Sequence, residues 1–327
     1  MQCDNRTVLV AGGAGYIGAH ACKALKQAGY TPVVYDNLVT GHRYAVKWGA
    51  FEHGDILDRR RLDEVMRKHA PGAVLHFAAY AYVGESVEDP GKYHRNNVAG
   101  SLSLLEACRD HGIPHFVFSS SCAVYGVPEQ VPINEQTPSC PINPYGWTKF
   151  HVEQMLKDFS AAHDLSFMAL RYFNAAGADP EAEIGEDHDP ETRIIPLAIR
   201  ASEPSGQVFK VFGTDYDTPD GTCIRDYIHV SDLADAHVRA LQALQDGGGS
   251  ACLNLGTGEG ASVLQVARAV EDVTGRDVRL EFAERRPGDP AVLVADAGRA
   301  KERLGWQPRF RDLADIVRTA YRWHGTK

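Results

Sequence analysis

The stretch Thr7-Val8-Leu9-Val10-Ala11-Gly12-Gly13-Ala14-Gly15-Tyr16-Ile17-Gly18 decides the fold. Thr7 to Ala11 is an apolar run of strand length, and Ile17, Ala21, Leu25 and Ala28 follow as a stripe at helical spacing. Between them Gly13, Gly15 and Gly18 fit the dinucleotide fingerprint G-x-G-x-x-G, while Gly12, Gly15 and Gly18 fit the wider register G-x-x-G-x-x-G. Glycine serves the turn, the close approach of a pyrophosphate to the backbone, and the packing of the next helix, whose N-terminal amides attract an anion. Pro32 to Tyr35 predicts a second strand ending in Asp36, about 20 residues past the motif. A carboxylate there can accept both hydroxyls of an adenosine ribose and repels a 2'-phosphate, which favours NAD over NADP.

The alternation continues with a strand at Phe51 to His53, the turn Gly54-Asp55-Ile56, a helix from Arg59 to His69 and a strand from Ala73 to Phe77. A helix from Lys92 to Asp110 and strands at His115 to Phe118 and Leu165 to Tyr172 follow. The pattern predicts an α/β fold, a Rossmann-type doubly wound parallel sheet. Ligands of such sheets lie outside the carboxyl ends of the strands. That rule points Asp55 at the adenine end and the segment Ala78 to Gly84 at the cleft. Ser119, Ser120 and Ser121 end the fifth strand, so three hydroxyls are expected in the same crevice. Asn97 falls on the packed face of its helix and needs hydrogen-bond partners there. Beyond residue 177 the alternation is lost and acidic, Pro-rich loops intervene (179–193 and 215–221). Residues 1–177 are read as the NAD-binding domain. Residues 178–327 are read as a smaller mixed α/β lobe with some segments returning to the main sheet.

Asn143-Pro144 introduces Tyr145-Gly146-Trp147-Thr148-Lys149, and Phe150, Val152, Met155, Leu156 and Phe159 continue at helical spacing. Tyr145 and Lys149 are then i and i+4 near a helix start, on one face. An ammonium beside a phenol favours the phenolate, and a fall of the phenol pKa from about 10 to near 7 corresponds to about 4 kcal/mol. One lysine is insufficient for that, so a second positive charge, such as an oxidised nicotinamide, is called for. In the C-terminal half Arg225 and the run Arg285-Arg286-Pro287-Gly288-Asp289 supply two separated arginine sites, a combination that suits a diphosphate.

The 327 residues carry a net charge of -9, which argues against a nucleic-acid or membrane-surface binder. Seven scattered cysteines without a Cys-x-x-Cys pair read as reduced thiols of a cytoplasmic protein. Residues 1–6 lack a signal pattern, and no apolar run reaches membrane-spanning length. The fourteen histidines show no metal-ligand spacing, so no metal site is expected.

The glycine loop, Asp36, Ser121 and Tyr145-x-x-x-Lys149, in that order, resemble the short-chain dehydrogenase/reductase superfamily. The length and second lobe resemble its extended, sugar-nucleotide-modifying branch. Asp36-Asn37-Leu38, Val83-Gly84-Glu85-Ser86, Arg171-Tyr172-Phe173-Asn174, Arg225-Asp226-Tyr227-Ile228-His229-Val230 and Arg285-Arg286-Pro287-Gly288-Asp289 are similar to the UDP-glucose 4-epimerase family over nearly the whole chain. The resemblance implies Tyr145, Lys149 and Ser121 as catalytic residues. It implies NAD contacts from Gly12, Gly15, Tyr16, Ile17, Gly18, Asp36, Asn37, Asp55, Ile56, Phe77, Ala78, Ala79, Asn97, Ser119, Tyr145, Lys149 and Tyr172. It implies UDP-sugar contacts from Ser121, Tyr145, Asn174, Phe212, Arg225, Arg286 and Asp289, and a homodimer built on the helices at Lys92 to Asp110 and Tyr145 to His163.

Two departures stand out. Ala81 occupies a position where familiar members carry a lysine, and Thr192-Arg193-Ile194-Ile195-Pro196 replaces an Asn-Asn-Leu-Met-Pro segment. Leu293 aligns with the residue that gates an N-acetyl pocket and is neither large like tyrosine nor small, which leaves UDP-N-acetylhexosamines and UDP-pentoses open as substrates. A nucleotide-sugar 4,6-dehydratase would resemble members with Thr-Asp-Glu where this chain has Ser121-Cys122-Ala123.

Overall fold

Val8, Leu9, Val10 and Ala11 are all fully buried because β1 (Asp4–Ala11) is an interior strand of a parallel sheet covered on both faces. The computed structural model describes residues 4–204, 206–286 and 289–326. After β1 come α1 (Tyr16–Gln27), β2 (Thr31–Asp36), β3 (Ala50–His53), α2 (Arg59–His69), β4 (Pro71–His76), α3 (Val83–Glu88) and α4 (Pro90–Tyr93). The chain continues through α5 (Gly100–His111), β5 (His115–Ser121), α6 (Pro144–Ala162), β6 (Ser166–Tyr172), β7 (Asn174–Ala176), α7 (Ile194–Ser202), β8 (Phe209–Phe212) and β9 (Ile224–His229). It closes with α8 (Val230–Gln245), β10 (Ala251–Leu255), β11 (Gly260–Ser262), α9 (Val263–Thr274), β12 (Leu280–Ala283), β13 (Val292–Leu293), α10 (Gly298–Leu304) and α11 (Leu313–His324).

The main sheet has the order β10-β6-β5-β4-β1-β2-β3, with every pairing parallel. Alternate side chains go to opposite faces. Val8, Val10, Leu75 and Val117 meet Leu25 of α1 and Leu241 of α8. Leu9, Val74 and Phe116 meet Leu62 of α2, Leu104 of α5 and Leu156 of α6. Each such side chain contributes about 1.5–3 kcal/mol by leaving water. Strand order reverses between β1 and β4, so the crevice outside their carboxyl ends is the place for a ligand.

β7, β9, β11 and β13 form a second sheet, and β8 pairs with β12. These enclose a separate core with α7, α9 and α11, in which Ile199, Val266 and Val317 are buried together. The division at residue 177 falls just after β7, which pairs with β9, while β10 lies in the main sheet beside β6. Among the described residues, no helix is long and apolar enough to cross a membrane.

The helix expected from Lys92 to Asp110 is not one regular helix. It starts at Pro90 and passes through a π-helical stretch, His94–Ala99, before α5. The wider turn brings Asn97 inward, where its Oδ1 accepts from the Tyr80 amide at 2.9 Å and its Nδ2 donates to Tyr80 O at 3.0 Å and Thr148 Oγ1 at 3.1 Å. Asn97 therefore has the partners its burial demands. α6 begins where the sequence places it: Asn143 Oδ1 caps the Gly146 amide at 2.8 Å, and Pro144 occupies the first turn, where no amide is needed.

Candidate active site

A cleft of about 1040 Å³ opens at the switch point. Of the residues singled out for the cofactor, Gly12, Gly15, Tyr16, Ile17, Gly18, Asp36, Asn37, Ile56, Phe77, Ala78, Ala79, Ser119, Tyr145, Lys149 and Tyr172 line it. Asp55 and Asn97 do not appear in its wall. Asp55 accepts from Asn37 Nδ2 at 2.8 Å and from the Leu57 amide at 2.8 Å, and so braces Asn37, which does line the cleft. Asn97 fixes the Tyr80 segment from behind, and its neighbour Asn96 lines the cleft instead.

The glycine loop fits a dinucleotide. Gly15 caps α1 without any side-chain bond to the first-turn amides, leaving them for an anion. A Cβ at Gly15 would meet only Gly12 O, at 3.4 Å, so the backbone is open to close approach. Gly12 has no such latitude: its φ is +79° and a Cβ would lie 2.5 Å from Ala78 N. Gly12→Ala is expected to destabilise the fold by about 3 kcal/mol, combining left-handed strain with a backbone clash. It should also lose bound NAD. A urea melt together with the cofactor content of the purified variant checks both.

Asp36 ends β2 with its Oδ2 accepting from the Ala14 amide at 3.0 Å and its Oδ1 from the Leu38 amide at 2.8 Å. Burial pushes its pKa up, and the two amides pull it back. Each oxygen keeps a further acceptor site, which fits a ribose diol.

The three serines divide. In β5, Ser119 and Ser121 share one face, where Ser119 pairs with the Tyr172 hydroxyl and the Ser121 hydroxyl accepts from the Ala123 amide at 3.1 Å, close enough to Tyr145 to favour its phenolate. Ser120 points the other way and donates to Glu153 Oε1 at 2.6 Å. The expectation of three hydroxyls in one crevice is corrected to two by the two-residue period of a strand.

Lys149 is 4% exposed, and its Nζ donates to Ser119 O at 2.7 Å, 5.8 Å from the centre of the Tyr145 ring. Burial lowers its pKa to about 7, with Glu153 pulling it back up. The Tyr145 pKa is raised rather than lowered: burial dominates, opposed by the hydrogen bond from Ser121 and by the charge of Arg193. Lys149 by itself does not bring the phenol down, in keeping with the need for a second positive charge; its ammonium is engaged by a carbonyl and is itself desolvated.

Arg193 is the residue that sequence reasoning missed. It lines the cleft with Tyr145 and Tyr172, and its Nε lies 3.5 Å from Glu186 Oε1. The one signal for it was its place in the segment that departs from the resemblance. His188, also in the wall, was not foreseen either, because the acidic loop carries no periodic pattern. Spacing likewise gave no hint of two groupings the fold assembles: Glu186, His188 and Glu191, and Asp179, Glu181 and Glu183. Each has a protein cation of its own. Arg193 faces Glu186, and Lys23 Nζ reaches Asp179, Glu181 and Glu183 at 2.9, 2.8 and 2.6 Å.

Four of the residues singled out for the substrate are brought together in the second lobe. Arg225 is 8% exposed and pairs with Asp289 at 2.5 Å, and the Arg286 guanidinium stacks over Phe212 at 4.0 Å. Pro287 and Gly288 of that motif, and Cys3, lie outside the described residues. Cys122, next to Ser121, feels the Arg225 charge. Leu293 sits opposite Arg225 in the β13–β9 register. Asn174 opens β7 opposite Tyr227. Ala81 lines the cleft beside Tyr80, and the Lys92 ammonium lies 4.2 Å above the Tyr80 ring.

Residues 8–256 match the model of the NAD dependent epimerase/dehydratase family. A protein of Rhizobium meliloti (strain 1021) named UDP-glucose 4-epimerase is 56% identical over 99% of this chain and 98% of its own. The crystal structure of UDP-glucose 4-epimerase from Brucella ovis in complex with NAD superposes with a TM-score of 0.96 at 55% identity, covering 98% of this chain and 99% of that one. A UDP-glucose 4-epimerase from Stenotrophomonas maltophila, solved with NAD and formylated UDP-arabinopyranose, gives 0.94 at 45% identity over 98% of both chains. Likeness of that extent runs through both lobes, and the chain belongs to the NAD dependent epimerase/dehydratase family.

Proposed function

We propose that the protein interconverts UDP-galactose and UDP-glucose through a 4-keto sugar. The observation that carries this reading is the convergence of Tyr145, Ser119, Lys149 and the glycine loop on one cleft, with Ser121 close to the Tyr145 phenol. The relatives' name, UDP-glucose 4-epimerase, supports it. The hydrogen on a sugar carbinol carbon is not acidic, so direct inversion has no easy route, and oxidation removes the difficulty. NAD, when bound, supplies a two-electron oxidant that re-reduction of the keto sugar restores.

The chain's own residues handle protons and position. Tyr145 takes the proton of the C4 hydroxyl and later returns it, and Ser121 relays between that oxygen and the phenol. Lys149 orients the nicotinamide ribose. Arg225, Arg286 and Asp289 hold the UDP so that the keto sugar can turn and offer its other face. The same reading carries a cytoplasmic homodimer. The free thiols among the described cysteines support the compartment. Exposed Leu102 on α5 and Trp147 on α6, 38% and 40% accessible, support those helices as the interface.

Purified protein given UDP-galactose without added NAD is expected to form UDP-glucose with no net growth of reduced-nicotinamide absorbance. A 4-keto-6-deoxy product would replace this reading with a dehydratase. Turnover confined to a UDP-N-acetylhexosamine or a UDP-pentose in the same panel would move the substrate while keeping the chemistry.

A further inference from the structure

We propose that Arg193 is a positioning residue for Tyr145: its guanidinium supplies a permanent positive charge to the phenol's side of the cleft, and Glu186 sets how much of it the phenol feels. The proposal rests on the reading above only for what Tyr145 does in turnover.

The loop before α7 is built to hold this side chain. The amides of Thr192 and Arg193 both donate to Glu191 Oε1 at 2.8 Å, and Tyr82 Oη donates to Pro190 O at 3.1 Å. Glu186 is anchored in turn, because Trp323 Nε1 of α11 donates to its carbonyl at 2.9 Å. His188 Nδ1 stands 3.2 Å from the same Glu186 oxygen that faces Arg193. The guanidinium therefore enters the cleft beside the Glu186 carboxylate, which lies close to that of Glu191.

Five tyrosines line that cleft, Tyr16, Tyr35, Tyr80, Tyr145 and Tyr172; Tyr35 donates to Asp55 O at 2.8 Å, and Tyr80 lies under the Lys92 ammonium. Tyr16 donates to Gly177 O at 2.6 Å, a partner that needs the proton to stay. Tyr172 is locked to Ser119, and burial holds its pKa far up. Tyr145 has the Ser121 hydroxyl close by, which can donate to a phenolate. The charged and titratable groups facing Tyr145 are Lys149 from its own helix, Cys122 from the end of β5, Tyr172 from β6, Tyr93 from α4, and Arg193 from the loop. Lys149 is only partly charged near neutral pH. A guanidinium does not lose its charge, so Arg193 is the lasting cation of the set.

The test is a spectrophotometric titration of tyrosinate, taken as the difference between each protein and the same protein carrying Tyr145→Phe. Arg193→Gln is expected to raise the Tyr145 midpoint by about one pH unit, the size of a charge effect across a few ångströms of partly wet protein. Arg193→Lys should leave it near its original value, and Glu186→Gln should lower it. The acid limb of kcat against pH should move in the same directions. A midpoint that stays put in both Arg193→Gln and Glu186→Gln overturns the proposal, as does an equal rise in Arg193→Lys, which would mark a packing effect. Should Arg193→Gln fold poorly, the Glu186→Gln shift alone decides. The titration needs no turnover, so its failure leaves the epimerase reading standing, and failure of turnover leaves the titration readable.

Discussion

Tyr145→Phe is expected to cut turnover of UDP-galactose by about a thousandfold, the usual worth of a positioned acid–base group, while leaving the fold and bound NAD in place. The change removes one oxygen. The ring remains against its neighbours, and the loss to stability is at most one polar contact, with Ser121, about 1 kcal/mol. The proton of the C4 hydroxyl is left without a base: Ser119 is tied to Tyr172, and Lys149 is tied to a carbonyl. Steady-state kinetics, cofactor content and a thermal melt of the variant separate the outcomes. Activity within tenfold of the parent, with NAD retained, would remove Tyr145 from the role of base. Loss of NAD along with activity would show that the phenol matters for the cofactor rather than for the proton.

What could be read from the sequence is what rests on local spacing. The glycine loop and the Tyr145/Lys149 pair are fixed by intervals of a few residues inside one strand–turn–helix or one helical turn, and Asp36 by its place at the end of the next strand. The helices at Arg59–His69 and Pro144–Ala162 were legible because caps and apolar periodicity agree. Ser120 was misjudged because a run of like residues hides the alternation of a strand. Arg193 and Glu186 could not be paired from sequence, because the loop between β7 and α7 has no period to extrapolate and its path is set by tertiary bonds from Tyr82 and Trp323. The weight of burial on the Tyr145 phenol could not be read from sequence for a related reason. Spacing puts a lysine near a phenol, but it does not say that burial weakens the lysine's own charge.

Glu153→Ala is expected to lower stability by about 3–5 kcal/mol, since it leaves a buried guanidinium without its carboxylate. Glu153 lies on α6 two turns beyond Tyr145 and one beyond Lys149, so the three share a helix face. Its side chain is 0% exposed and that of Arg171 is 6% exposed. Arg171 donates from Nε to Glu153 Oε1 at 2.8 Å and from Nη2 to Oε2 at 2.5 Å, a two-pronged geometry that suits a carboxylate. Arg171 Nη1 also donates to Tyr125 Oη at 2.9 Å, and Tyr125 donates to Asn254 Oδ1 at 2.6 Å. The network bolts α6 to β5 through Ser120, to β6 through Arg171 and to β10 through Asn254. Attractions of this kind offset a large desolvation cost, so the pair taken as a whole adds little net stability, whereas breaking it is expensive. The double variant Glu153→Leu with Arg171→Met should accordingly be more stable than Glu153→Ala, and urea denaturation of the three proteins measures the ordering. If the double variant is the least stable of the three, the pair is worth more than apolar packing at that spot. The rigid mounting of Tyr145 would then be an outcome of the charges themselves. If it recovers stability yet turns over slowly, the charges serve to set the angle of α6, and the Tyr145 phenol is aimed by a contact two helical turns away from it.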